Sequence, residues 1–235
     1  MKFSTTKMLA VAAFAAVPML ASAQLTANVS LTTNYKFRGQ DQDIITSAGT
    51  LKTKAVKPAL QGGFDYTHSS GFYVGNWNSS VNWLTGNSLE VDVYGGYRGE
   101  IAKDLGFDVG VLAYLYPGNT NGNTTEIYGG LTYGPFSAKY SHTVSSDYFF
   151  YKSKAGYLNV AYAQEITKGL TLKASIGSTM FKNAANVDFA DYSVGAAYDL
   201  GSGFSVSGAL VGATKKNFYG SPNKNRFIAT LTKTM

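Results

Sequence analysis

A two-residue period runs through this chain almost end to end, and it limits the fold more than any other feature. Between Leu25 and Arg38, one face collects Leu25, Ala27, Val29, Leu31, Thr33, Tyr35 and Phe37. The other collects Thr26, Asn28, Ser30, Thr32, Asn34, Lys36 and Arg38. A helix would mix these sets within one turn, whereas a strand sends successive side chains to opposite sides. The run reads as a single strand far longer than the usual 5 or 6 residues, and such length suits a tilted strand that crosses a membrane.

The pattern recurs. Leu89, Val91, Val93, Gly95, Tyr97 and Ile101 oppose Glu90, Asp92, Tyr94, Gly96, Arg98 and Glu100. Phe107, Val109, Val111, Ala113 and Leu115 oppose Asp108, Gly110, Leu112, Tyr114 and Tyr116. Further apolar sets start at Ile127, Phe136, Leu158, Leu170, Tyr192, Phe204 and Phe227. Segments 58–67 and 72–81 alternate less cleanly, and in the second Tyr73, Gly75 and Trp77 are read as the apolar face. Tight connections at 68–71, 102–106, 134–135, 167–169 and 201–203 alternate with longer polar ones at 39–57, 82–88, 117–123, 145–155, 182–190 and 214–225. The expected fold is all-β: a closed antiparallel transmembrane barrel of about 12 strands, with short periplasmic turns and longer extracellular loops. An open sheet edge in hydrocarbon would leave backbone groups unpaired, so the sheet has to close.

Aromatic residues flank the tight turns on the outward register. Phe64 and Tyr66 are set facing Tyr73, Tyr97 facing Phe107, Tyr133 facing Phe136, and Tyr198 facing Phe204. Together they form one belt at headgroup level, where amphipathic rings are favoured. Composition agrees. Charged residues are 14% of the 235, against about 25% in soluble domains. Lys or Arg facing lipid at mid-depth costs about 2–4 kcal/mol, and the outward sets hold no charge until the last strand. Abundant aromatics and low charge exclude disorder. The chain has no run of about 20 apolar residues to form a membrane helix. With no Cys, thiolate, disulfide and zinc–thiolate chemistry are excluded.

Residues 1–23 read as a signal peptide: Lys2 and Lys7 precede an apolar stretch from Met8 to Leu20, and Ala21-Ser22-Ala23 is a cleavable small-residue site. The mature barrel is then 24–235. Removing the two lysines leaves 18 basic against 14 acidic residues, a dispersed excess that does not point to nucleic acid. Export without a stop-transfer segment and with two-faced strands places the chain in the outer membrane.

No catalytic, cofactor or metal set is apparent. The two histidines, His68 and His142, are far apart, and Ser141 lies on the strand face opposite His142, so neither a zinc site nor a Ser–His pair forms. The informative residues are the inward ones: Lys36, Arg38, Asp65, Glu90, Asp92, Tyr94, Arg98, Asp108, Tyr114, Tyr116, Glu126, Tyr128, Lys139, Lys173 and Asp199. Unpaired charges are costly in a dry interior, so these line either a wet channel or a salt-bridged plug. Twelve strands fall between filled barrels of about 8 and open ones of 16 to 18. The preferred reading is a passive diffusion channel for small hydrophilic solutes, with a closed structural or surface-binding barrel as the alternative. The first long loop carries Ile44 and Ile45, which seek shelter, and is expected to fold inward as a constriction. Lys52, Lys54 and Lys57 there, with Lys215, Lys216, Lys224 and Arg226 near the last loop, form a basic outer vestibule. That vestibule favours anions, or contacts lipopolysaccharide phosphates. Association between barrels is left open, because no lipid-facing polar patch is apparent.

The segments LTTNYKFRGQDQ (31–42), PALQGGFDYTHSSGFYVGNW (58–77), LEVDVYGGYRGEI (89–101), DVGVLAYLYPG (108–118), TTEIYGGLTYG (124–134), GYLNVAYAQEI (156–166) and YDLGSGFSVSGALVGAT (198–214) resemble, in this order, the TorF-type porin family. The resemblance spans essentially the whole mature chain and implies an outer-membrane diffusion pore. Barrels of this kind usually end in Phe, part of the signal read by the insertion machinery. Here the last residue is Met235, and Lys233 takes an outward position from which it can snorkel.

Overall fold

A computed structural model describes residues 23–53, 56–183 and 187–235. The proposed signal peptide up to residue 22, and Lys54 of the vestibule, lie outside the described residues. Twelve strands form the barrel: β1 (Gln24–Thr32), β2 (Ala59–Thr67), β3 (Phe72–Ser80), β4 (Leu89–Ala102), β5 (Leu105–Leu115), β6 (Thr124–Tyr133), β7 (Phe136–Thr143), β8 (Ala155–Thr167), β9 (Leu170–Phe181), β10 (Phe189–Gly201), β11 (Phe204–Ala213) and β12 (Arg226–Thr234). Each pairs antiparallel with its neighbour in sequence, and β12 returns to β1 to close the sheet. The closing register sets Val29 against Lys233 and Leu31 against Leu231. Met235 extends the seam, exchanging backbone hydrogen bonds of 3.0 and 2.8 Å with Ala27.

Partner residues across an antiparallel pair share a face, so the registers settle what each strand shows to either side. Leu25, Phe64, Val109, Ile176, Val194, Leu210 and Phe227 all point outward and are exposed. The row Phe72–Tyr97–Phe107 forms part of the aromatic belt, with ring centroids 5.0 and 5.8 Å apart. Phe136 and Tyr162 continue it at 5.3 Å. Lys233 reaches the belt edge, where its ammonium lies 4.5 Å from the Phe204 ring and donates to the Ser202 carbonyl. Exposed aliphatics bounded by rings make the outer wall apolar along its height.

Two sequence expectations are corrected. In β3 the outward residues are Phe72, Val74, Asn76, Asn78 and Ser80, not Tyr73, Gly75 and Trp77. Phe72 pairs with Tyr97, and Val74 with Tyr66 and Gly95, all outward. Tyr73 and Trp77 gain partners inside instead. Tyr73 donates to Asp108 at 2.6 Å, and Trp77 meets the Tyr35 ring edge-on at 5.5 Å.

The second correction concerns the first strand, which ends at Thr32 rather than continuing to Arg38. Beyond it the chain turns into the barrel as a miniature hairpin, Lys36–Phe37 pairing with Gln40–Asp41. Arg38 and Gly39 form its tip with φ of 46° and 75°, the two positive values that a two-residue type I′ turn requires. Glycine is needed at 39 for space as well: a Cβ there would lie 2.7 Å from Asp191 Cβ on the β10 wall.

The main buried apolar cluster is therefore inside the barrel at its loop end. Trp83, Tyr114, Tyr116, Tyr148, Phe149, Phe181 and Phe189 form it, and Tyr35 and Phe37 of the hairpin pack against it. Loop 144–154 contributes Tyr148 and Phe149, so it too folds inward. The last loop carries a one-turn helix, Lys216–Tyr219, and a 3-10 turn, Ser221–Asn223, that packs against Gln40–Asp41 of the hairpin.

Candidate functional site

The inserted hairpin is held by charge. Arg38 reaches across the interior to Glu126 on β6, donating through both terminal nitrogens at 3.0 and 2.7 Å. The pair is buried, with side-chain exposures of 6% and 1%. Its guanidinium also lies over the rings of Tyr157 and Phe37, 4.1 and 4.8 Å from their centroids. A planar fork that pairs bidentately while stacking on rings is the use for which Arg differs from Lys. Beside it, Glu90 accepts from Tyr35 of the hairpin at 2.7 Å and from Tyr116 at 2.6 Å.

At the root of the hairpin, Asp41 binds Lys36 at 3.0 Å and Arg226 of β12 at 3.1 Å. Lys36 also donates to the Pro222 carbonyl, and Gln40 to Asn223 at 2.8 Å. First and last loops are thus stitched together. Burial pulls the Lys36 ammonium down to about 8, with the Asp41 carboxylate opposing. Lys52 pairs with Asp43 at 2.6 Å. Between the plug and strands β2 and β3 lies a cavity of about 10 Å³, lined in part by Tyr35, Asp43, Ala59 and Val81, room for about one water.

Below the plug the lining changes character. Tyr94 donates to Asp65 and Tyr73 to Asp108, each at 2.6 Å; Tyr73 also shares a short hydrogen bond with Tyr128. Arg98 donates to Thr67 at 2.8 Å and lies over the Tyr73 ring. Lys139 sits 3.7 Å above the Tyr128 ring. Three of these rings lie flat against the wall because glycines make room: a Cβ on Gly75 would strike Tyr94, on Gly96 Tyr73, and on Gly110 Tyr128. The tyrosines therefore line the interior without spanning it.

Charge is distributed unevenly around the circumference. The carboxylates Asp65, Glu90, Asp92, Asp108 and Glu126 occupy β2 and β4–β6 with Arg98 among them, while Lys139 and Lys173 occupy β7 and β9 and the buried Asp191 faces inward on β10. Lys173 stands between Ala163 and Gly195 in the ladders, and among the described residues it has no hydrogen-bond or ion-pair partner.

The inward residues expected from the sequence fall into four groups. Asp65, Asp92, Tyr94, Arg98, Asp108, Tyr128, Lys139 and Lys173 face the interior below the plug or at its base. Glu90, Tyr114, Tyr116 and Glu126 also face inward but are covered by the hairpin, so they anchor a plug instead of lining a passage. Lys36 and Arg38 belong to the plug itself. Asp199 sits at the tight-turn end, where it accepts from the Gly201 amide at 2.8 Å. Of the vestibule residues, Lys57, Lys215, Lys216 and Lys224 are exposed, whereas Lys52 and Arg226 are engaged in ion pairs and are not free rim charges. Reading the sequence missed Tyr35, Asp41, Tyr148, Phe149 and Tyr157. The run Asp147-Tyr148-Phe149-Phe150-Tyr151 carried a signal, since four consecutive rings in an exposed loop would be an unsheltered apolar patch.

The chain belongs to the Gcw_chp family, described as a bacterial protein of unknown function, whose model matches residues 18–235. No curated protein matches it. Among solved structures it is similar to the NanC porin, at 10% identity and a TM-score of 0.59, covering 90% of this chain and 98% of that one. It is also similar to the KdgM porin in complex with disordered oligogalacturonate, at 8% identity and 0.57, covering 88% and 98%. At such identities the likeness establishes the barrel fold.

Proposed function

We propose that this protein is a porin-like outer-membrane channel for small hydrophilic solutes, narrowed at its extracellular mouth by the inserted hairpin. The observation that carries the reading is the interior below the plug: ionisable and phenolic side chains line it inside a wall whose outer face is apolar. A barrel with no aqueous lumen has no use for an unpartnered ammonium such as Lys173. The neighbouring inward positions Ala161, Ala163, Ser175, Ser193, Ala197 and Ser207 are all small, which supports a passage on the β8–β11 side. The porin neighbours and the TorF-type motifs support the same assignment, and with it outer-membrane insertion by the barrel machinery. On the rim, Lys57, Lys215, Lys216 and Lys224 face either solutes or lipopolysaccharide phosphates.

The lumenal ammoniums favour anions, mildly because carboxylates stand opposite. Refolded mature protein in a planar bilayer should give discrete ohmic steps, with a reversal potential in a salt gradient on the anion side. Lys173→Glu should move that potential toward cations without changing folding; an unmoved potential would remove Lys173 from the path. The alternative, a closed binding barrel, is favoured by the ionic stitching of Arg38, Asp41 and Arg226. Silence from protein shown to be inserted would select it.

A further inference from the structure

The outer wall of β3 carries side chains that lipid cannot satisfy. Asn76 stands opposite Phe64 and Val93, and Asn78 opposite Gly62 and Val91, all on the outward face. From the belt residue Phe72, a rise of about 3.3 Å per residue and a tilt of about 40° put the two amides about 10 and 15 Å up an apolar band about 25 Å tall. They straddle its middle. Other outward polar residues, such as His142 and Lys233, sit at strand ends where headgroups and water begin.

The two amides partly satisfy each other. Asn78 Nδ2 donates to Asn76 Oδ1 at 2.6 Å and to the Gly62 carbonyl at 3.3 Å, while Asn76 Nδ2 donates to the Asp92 carbonyl at 3.1 Å. A carboxamide offers two N–H donors and one carbonyl. Among the described residues, one N–H of Asn76 and the Oδ1 of Asn78 are left over, at a depth where acyl chains offer no hydrogen-bonding group. Only another protein surface supplies one there. The flanking Gly62 and Gly95 keep the wall low at this point, so a second wall can approach closely.

We propose that this face of β2–β4 is the contact with a second copy of the chain, forming a two-fold dimer in the membrane. The leftover groups are one donor and one acceptor, which is self-complementary. A two-fold axis along the membrane normal gathers four amides and gives each copy the same spare donor and the same spare acceptor, as an isologous interface requires. A different protein would have to present the same pair by coincidence. The inference rests on the membrane reading above.

The test uses the absence of native cysteine. Val93→Cys beside the patch, and Ile176→Cys on β9 six strands away, are placed in otherwise wild-type barrels, reconstituted into vesicles at low protein density and oxidised with copper phenanthroline. Val93→Cys should give a covalent dimer and Ile176→Cys should not. Adding Asn76→Leu and Asn78→Leu should lower the Val93→Cys yield roughly tenfold, while heat-modifiable gel mobility and conductance show an intact barrel. Subunit counting by photobleaching of the wild type gives an independent readout, with two steps per spot expected. Equal cross-linking at both positions, or single bleaching steps from inserted and conducting barrels, overturns the dimer and leaves the channel reading standing. Failure of the wild type to insert overturns both.

Discussion

Replacing Arg38 with alanine is expected to raise unit conductance several-fold and to expose the hairpin to protease. The Arg38–Glu126 pair is buried on both sides, and deleting one partner of such a pair costs about 3–5 kcal/mol because the remaining charge is left uncompensated. Here the remaining charge is worse placed than usual. Glu126 shares its region with Glu90 and Asp92, both buried, so the lost guanidinium is a cation facing a carboxylate cluster. The stacking over Tyr157 and Phe37 goes with it. The hairpin can leave without unfolding the barrel, because its own ladder with the wall is absent: Lys36–Phe37 and Gln40–Asp41 pair only with each other. Converting both partners to neutral groups, Arg38→Met with Glu126→Gln, removes the stranded charge and should restore most of the closed state. Single-channel recording and limited proteolysis of loop 33–58 read the two effects separately. A protease-resistant loop and unchanged conductance in Arg38→Ala would mean that the plug is held by its apolar packing alone.

How much of this was legible in the sequence depends on what alternation records. It separates two environments without saying which is outside. For β4 and β5 the polarity decides the matter: Glu90, Asp92 and Asp108 cannot face lipid, so Val91, Val93 and Val109 must. In β3 the rule inverts. Tyr73 and Trp77 are aromatic and face inward, where Asp108 and Tyr35 receive them, while Asn76 and Asn78 are polar and face outward. The error in that one strand also hid the dimer face, since the wrong register leaves no polar residue on the wall. The end of β1 was hidden for a different reason. The alternation of residues 33–38 is real, but it continues through a hairpin whose two faces see the plug core and its ion pairs. The Arg38-Gly39 turn is its local mark. The partner, Glu126, is 88 positions away, and no local pattern announces a contact at that separation.

The assignment of inside and outside can be tested on adjacent residues of β9. Ile176→Lys should destabilise the barrel by about 2–4 kcal/mol, the penalty for a cationic side chain facing lipid near mid-depth. Ser175→Lys, one residue earlier, should cost little. Ile176 is 66% exposed, so in water its replacement would remove almost no packing, and a large loss can come only from hydrocarbon around the wall. Ser175 pairs with Ala161 and Ser193 on the inner face, where a lysine enters the lumen beside Lys173 and should strengthen anion preference. Urea unfolding of both variants in lipid vesicles gives the stabilities, and reversal potentials give the lumenal effect. If the two lysines prove equally tolerated, the wall faces water and the barrel is not a membrane protein. A loss at Ser175→Lys alone would mean a dry, packed interior, and the closed-barrel reading would replace the channel.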